Sequence, residues 1–257
     1  MLLAIDVGNT ETKLGCFGPS GEVTQMWRVT TELRRTADEY GVFFTQLFAT
    51  GGLDHRAIDA IAIASVVPHL DRILESACER FFGTAPTFLK AHKQTLMPVT
   101  TDRPSEVGAD LVAAAIGGRA RYGAPLIVIS YGTATVFMAI TARGEYAGVA
   151  IAPGINISID ALVGHTAKLP QIALEAPTRA IGRNTIEALQ AGIVYGFVGQ
   201  TEALVARMRA ELGSDAKVVA TGGLAEVVAR SSSTIDCIDP HLSMIGLRLF
   251  HETNPVL

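Results

Sequence analysis

Apolar and polar positions alternate or run together over short stretches of this chain, and one strand-turn-strand pattern occurs twice. Ala4-Ile5-Asp6-Val7-Gly8-Asn9-Thr10 and Val128-Ile129-Ser130-Tyr131-Gly132-Thr133-Ala134 each carry an apolar run, then a short turn built on Gly. Hydroxyl or amide residues follow and lead into a second apolar segment, Leu14 to Phe17 and Val136 to Ile140. This predicts a β-hairpin with a tip of small residues in each half. At such a tip Gly lets the backbone approach a ligand, N–H groups with Thr or Asn side chains donate to phosphate oxygens, and an Asp holds a metal through water. The copies differ at one position of consequence: Asp6 is matched by Ser130.

Between and after the hairpins the period changes. Val23 to Val29 reads as a strand, and Ala37, Tyr40, Phe44, Leu47 and Phe48 fall near helical spacing, which predicts a crossover helix over about Arg34 to Ala49. The run from Ala60 to Val67 is a buried strand stopped by Pro68, with a helix from about His69 to Phe82 and a short strand near Thr87 to Leu89. Pro104 is expected to open an Ala-rich helix carrying Leu111, Ala114, Ala115 and Ala120. The strand plan then repeats from Leu126, and Ala152-Pro153-Gly154 reads as a turn. A long helix is expected from about Asn184 to Leu212, with an apolar stripe through Ile186, Leu189, Ile193, Val194, Phe197, Leu204 and Met208. Val218 to Thr221 is a strand ending in a Gly222-Gly223 turn that opens another helix. The repeat spacing, about half of the 257 residues, predicts two domains, 1–115 and 116–257, with the extreme C-terminus packing back on the first.

Composition narrows the class. With 49% hydrophobic, 18% charged and only 6% aromatic residues, the chain is globular and rich in Ala, Val, Ile and Gly, so helices packed on β-sheets, an α/β fold, are expected. A net charge of -4 without a basic block leaves no electrostatic footprint for nucleic acid, and a small-molecule substrate is expected instead. Cys16, Cys78 and Cys237 are far apart and lack a CxxC spacing, which reads as reduced thiols. A cytoplasmic location without membrane contact is expected, since the N-terminal segment has no signal-peptide pattern and no apolar run is long enough for a bilayer. The six histidines show no ligand spacing, so no zinc site is expected. Neither a Walker loop nor a GxGxxG after a strand occurs, which argues against P-loop kinases and Rossmann oxidoreductases.

A duplicated αβ plan with a phosphate hairpin in each half resembles the actin-like ATPase superfamily. Eight short segments in order narrow it: Asp6-Val7-Gly8-Asn9-Thr10 with Lys13, Ala64-Ser65-Val66-Val67-Pro68, Glu106-Val107-Gly108-Ala109-Asp110, Gly132-Thr133-Ala134-Thr135, Ala152-Pro153-Gly154, Thr166-Ala167-Lys168-Leu169-Pro170, Gly182-Arg183-Asn184-Thr185 and Thr221-Gly222-Gly223-Leu224. Together they resemble type III pantothenate kinase over nearly the whole chain. The resemblance implies two actin-like (ribonuclease H-like) αβ domains flanking an ATP cleft. It further implies a homodimer that uses ATP, Mg²⁺ and a monovalent cation, K⁺ or NH₄⁺, to phosphorylate the primary hydroxyl of pantothenate, the first step of coenzyme A synthesis. By the same resemblance Asp6 is the metal and phosphate carboxylate, and Gly8, Asn9, Thr10 and Lys13 form the first phosphate loop. Gly132 and Thr133 form the second, Thr221, Gly222 and Gly223 approach the adenosine, and Gly108, Ala109 and Thr185 hold pantothenate. Asp110 matches the catalytic carboxylate, which accepts a hydroxyl proton as the phosphorus–oxygen bond forms.

The chain departs from the family pattern where substrate or cation would bind. Leu111 stands where an Arg follows the catalytic Asp, Ser130 where an Asp opens the second hairpin, Thr101 where a Tyr precedes the Pro, and Val149 where a Gly precedes the Ala-Pro-Gly turn. Loss of a carboxylate at the cation position, Ser130, is expected to leave weak or no potassium dependence. The departures admit two alternatives, a kinase acting on another small hydroxyl acceptor and a catalytically impaired nucleotide-binding regulator. Plainer roles also stand open for single residues: a turn cap for Asp6, a first-turn helix acid for Asp110, an exposed strand lysine for Lys13, and a helix cap for Thr185.

Overall fold

Leu2–Val7 (β1) is buried along its whole length, as expected of a strand covered on both faces. The computed structural model describes residues 1–166 and 168–253. β1 pairs antiparallel with β2 (Glu11–Phe17), which pairs with β3 (Val23–Thr30). The helix α1 (Ala37–Thr50) then leads to β4 (Ala60–Ser65), parallel to β1. After α2 (Pro68–Phe82), β5 (Thr87–Phe88) completes the sheet β3-β2-β1-β4-β5. Thr36 starts α1 with a reciprocal cap, its hydroxyl accepting from the Glu39 N–H while Glu39 accepts from the Thr36 N–H. One face of the sheet, with Leu3, Ile5, Leu14 and Ile63, packs on Tyr40, Phe44 and Phe48 of α1 and Leu70 and Leu74 of α2.

The Ala-rich helix does not begin at Pro104. Pro104–Glu106 forms a separate 3-10 turn, Val107 is extended, and α3 runs Ala109–Tyr122. The break follows from the Val107 backbone, whose φ of −73° and ψ of 128° lie in the β region and end the turn. Its consequence is that Asp110 falls in the first turn of α3 rather than mid-helix.

The second sheet repeats the plan of the first. β6 (Leu126–Tyr131) and β7 (Ala134–Ile140) form the second hairpin, β8 (Tyr146–Pro153) extends it, and β9 (Lys217–Thr221) and β10 (Cys237–Ile238) lie parallel on the other side, in the order β10-β9-β6-β7-β8. Ala152-Pro153-Gly154 is not a loop turn. It ends β8 and Gly154 serves as the N-terminal flank of α4 (Ile155–Gly164), a helix that the apolar pattern did not signal. The long helix α5 (Thr185–Leu212) packs on this sheet with Val194, Phe197, Val198 and Val205 buried, and α6 (Ala225–Ala229) follows β9.

The chain divides into two compact units, one of residues Met1–Gly117 with the C-terminal helix α7 (Leu242–Thr253), the other Gly118–His241. In the first unit α7 lies against β1 and β4. Gly15 of β2 makes room for Met244, since a Cβ there would come 2.7 Å from its sulfur. α3 and α7 meet backbone to backbone: a Cβ on Gly117 would overlap the Leu242 carbonyl, and one on Gly246 the Ala113 carbonyl. Among the described residues no helix is long and apolar enough to cross a membrane.

Candidate functional site

Asp6 interrupts the apolar run of β1 near its C-terminal end, and the residue is only 6% exposed. A buried carboxylate needs partners. Register supplies one, because Asp6 stands opposite Lys13 across the hairpin, with Nζ 3.6 Å from Oδ2. The other comes from the far end of the chain, where the Ser243 hydroxyl donates to the same Oδ2 at 2.8 Å. Lys13 is thus no plain exposed strand lysine, and the Asp6 carboxylate is held by two side-chain donors.

The first tip has three residues, Gly8, Asn9 and Thr10, between β1 and β2. The Gly8 N–H donates to the Glu11 carbonyl at 3.0 Å, and a Cβ on Gly8 would press to 2.9 Å of that oxygen. Thr31, just past β3, ties the tip down: its hydroxyl donates to the Gly8 carbonyl at 2.8 Å and its N–H to the Thr10 carbonyl at 3.0 Å, while Thr12 Oγ1 sits 2.8 Å from Thr31 Oγ1. Asn9 and Thr10 stand exposed at the tip, held by backbone bonds made behind them.

Asp110, in the first turn of α3, is half-buried. Burial pushes its carboxyl up to about 6, the neighbouring Asp6 charge adds to that, and the Leu111 N–H and Lys13 oppose it. The Leu111 N–H donates to Asp110 Oδ1 at 2.8 Å. A Cβ on Gly108 would come 2.5 Å from Asp110 Oδ1, so the missing side chain at 108 is room for the carboxylate. Ala109 is buried beside it. Asp110 thus stands in the field of a second carboxylate as well as at the start of its helix. At about 6 the Asp110 carboxyl lies nearer neutral pH than an ordinary carboxylate.

In the second unit the hairpin tip is shorter, two residues, Gly132 and Thr133, both exposed. Ser130 stands in register with Thr221 across β6 and β9. Gly222 takes a φ of +97° and its missing Cβ avoids the Tyr131 carbonyl, which seats the Thr221-Gly222-Gly223 turn against the end of β6. Gly154 is required for the same reason, because a Cβ there would overlap the Gly132 and Thr133 carbonyls. Ser130, Gly132, Thr133, Thr221 and Gly222 are therefore gathered at one end of the second sheet.

Thr185 is the exposed first residue of α5, in the second unit, whereas Gly108 and Ala109 belong to the first. The helix cap at this point is Asn184, which accepts from the Glu187 N–H at 2.9 Å, so capping does not occupy Thr185. Of the segment Thr166 to Pro170, Ala167 lies outside the described residues. Two residues escaped the sequence reading, Thr31 and Ser243. A hydroxyl residue just beyond a strand is a faint signal for the first, and for the second there was none. The thiols of Cys16 and Cys78 are pushed up to about 12 by burial and take no part.

The carboxylate oxygens of Asp6 are hard ligands of the kind that could hold a divalent cation. The Ser243 hydroxyl and the Lys13 ammonium both approach Asp6 Oδ2, and the ammonium offers a metal no lone pair. Among the described residues no group of three or more His, Cys, Asp or Glu side chains stands together. A single carboxylate is a set that Mg²⁺ accepts when water and phosphate oxygens supply its remaining ligands.

The model of the type III pantothenate kinase family matches residues 2–207. A type III pantothenate kinase of Anaeromyxobacter sp. (strain Fw109-5) is 49% identical over 255 residues, covering 99% of this chain and 100% of that protein. One from Roseiflexus castenholzii is 48% identical, with 99% of each chain covered. Among solved structures, component A of (R)-2-hydroxyglutaryl-CoA dehydratase from Acidaminococcus fermentans shares the fold with a TM-score of 0.57 and 13% identity over 96% of this chain and 94% of that one.

Proposed function

The chain belongs to the type III pantothenate kinase family, and we propose that it transfers the γ-phosphate of ATP to the primary hydroxyl of pantothenate, the step that opens coenzyme A synthesis, with Asp110 as the base. The observation that carries the catalytic assignment is the Asp110 carboxyl raised to about 6 beside Asp6. Such a group is mostly ionised at pH 7 yet still basic enough to accept a proton from an alcohol as its oxygen attacks phosphorus.

The other residues divide the work of binding and orientation. Gly8, Asn9 and Thr10 offer N–H, amide and hydroxyl donors at the first tip, and Lys13 adds a positive charge, against phosphate oxygens that gain charge during transfer. Gly132 and Thr133 offer the same chemistry in the second unit, and Thr221, Gly222 and Gly223 form a side-chain-poor turn for the nucleoside. Mg²⁺, when bound, neutralises phosphate charge, and Asp6 would hold it through water. Gly108, Ala109 and Thr185 are the residues we assign to pantothenate. Ser130 brings no charge to the monovalent-cation position, so sodium and potassium are expected to serve almost equally. Exposed apolar side chains of the second unit, Ile151 at 66% and Ile181 at 81% with Val149, Ile157 and Ile186, support a homodimer. Free cysteines and the ATP requirement support a cytoplasmic location.

The test is ADP release from ATP and Mg²⁺ with and without pantothenate, in sodium and in potassium buffers, for the wild type and Asp110→Asn. Pantothenate-dependent release that falls by about 10²-fold or more in Asp110→Asn is expected. Full activity in Asp110→Asn would remove Asp110 as base. Release indifferent to pantothenate would point to another acceptor, and a strong saturable rise with potassium would refute the reading of Ser130.

A further inference from the structure

We propose that Ser243 is a positioning residue for Asp6, a part of the phosphate site supplied from the last helix of the chain. The inference rests on the kinase reading of Asp6. Ser243 lies in the first turn of α7, is 7% exposed, and donates its hydroxyl to Asp6 Oδ2 at 2.8 Å. Lys13 Nζ approaches the same oxygen at 3.6 Å. Both contacts fall on Oδ2 and neither on Oδ1, so they fix the rotation of the carboxylate and divide its oxygens between a protein-bound side and a side left for a metal-bound water. The two donors are not equivalent. Lys13 has a flexible stem, is 24% exposed at its side chain, and is itself a phosphate ligand in the kinase reading, so it can leave Asp6 when nucleotide arrives. Ser243 cannot leave.

Its helix is held where it is by three glycines. Gly15 accommodates Met244, Gly117 accommodates the Leu242 carbonyl, and Gly246 accommodates the Ala113 carbonyl. Leu242 and Met244, which flank Ser243, are fully buried, so the hydroxyl has a fixed origin. A short side chain on a rigid turn therefore sets the orientation of the group on which the metal would rest.

The experiment measures binding apart from turnover: Mn²⁺ with ADP is titrated into the intact protein and followed by the electron-spin resonance of free Mn²⁺, for wild type, Ser243→Ala and Ser243→Thr. Ser243→Ala is expected to bind the Mn²⁺–ADP pair about tenfold more weakly, the size of losing one hydrogen bond to a charged group. Its KM for pantothenate should stay within twofold, because the kinase reading assigns that substrate to Gly108, Ala109 and Thr185 and not to Asp6. Ser243→Thr keeps the donor oxygen and should recover most of the loss. If packing alone mattered, the order would invert, with Ala near wild type and Thr, the larger side chain, impaired; that order, or equal affinity in all three, overturns the proposal. Should Ser243→Ala fail to fold, Ser243→Cys, similar in size but a weak donor, takes its place with the same expected loss and the same contrary result. A wild type that binds no Mn²⁺–ADP at all would instead strike down the kinase reading of Asp6.

Discussion

Two carboxylates set the chemistry at the scale of the residue. Asp110 is raised from 3.8 to about 6, so the folded state holds a proton that the unfolded chain has already released. Its contribution to stability is present below about pH 4 and is lost as pH climbs through 6. Asp110→Asn is therefore expected to melt higher than the wild type above pH 6, by on the order of 2 kcal/mol, and equally near pH 4. Thermal melts near pH 4 and at pH 8 check this, and a variant no more stable at pH 8 would mean that burial and the Asp6 charge do not raise the Asp110 carboxyl. Dead and stabilised together is the signature of a residue kept for chemistry. Gly108 gives a subtler case. Gly108→Ala is expected to keep the fold and to lower kcat by about 10-fold or more by pushing the Asp110 carboxylate off its position, measured as kcat beside an unchanged melting temperature. The residue types were legible in the sequence: Asp6, Gly8 and Lys13 stand close in the chain, and a hairpin tip is a local event. What could not be read was that Asp110 would sit beside Asp6, because desolvation depends on everything packed around a group.

At the scale of elements, strands and helices followed their apolar periods wherever a period was present. β1, β2, β4 and β6 lie where alternating or continuous apolar runs placed them, and α5 runs Thr185–Leu212 against an expectation of about 184 to 212. The misses share a cause. Pro104 is a fair helix opener, yet it opens only a 3-10 turn because Val107 is extended, and α4 was hidden behind a Pro-Gly pair that reads as a turn. The crossing of α3 and α7 carries the sharpest consequence: Gly246→Ala puts a methyl into the Ala113 backbone, which cannot step aside as a side chain would. A loss of about 3 kcal/mol is expected from urea unfolding, at the upper end for overpacking; a loss under about 1 kcal/mol would show that the helices can slide apart at little cost.

At the scale of the whole molecule, the first unit is discontinuous in sequence, since α7 joins strands that begin the chain. Hydrogen exchange should therefore show the amides of α7 opening together with those of β1 and β4, as one cooperative unit; exchange of α7 many times faster than both strands would contradict that packing. The sequence by itself determined the duplicated strand plan, the two small-residue tips, the buried strands and the long helix, because hydrophobic period and turn chemistry act over a few residues and need no knowledge of distant partners. Only the tertiary structure decided that Ser243 meets Asp6 across 237 positions, that Thr31 braces the first tip, and that Gly117 and Gly246 are points of contact. Those pairings arise when remote segments share one core, where a hydrogen bond or a missing methyl acts through space and leaves no pattern along the chain.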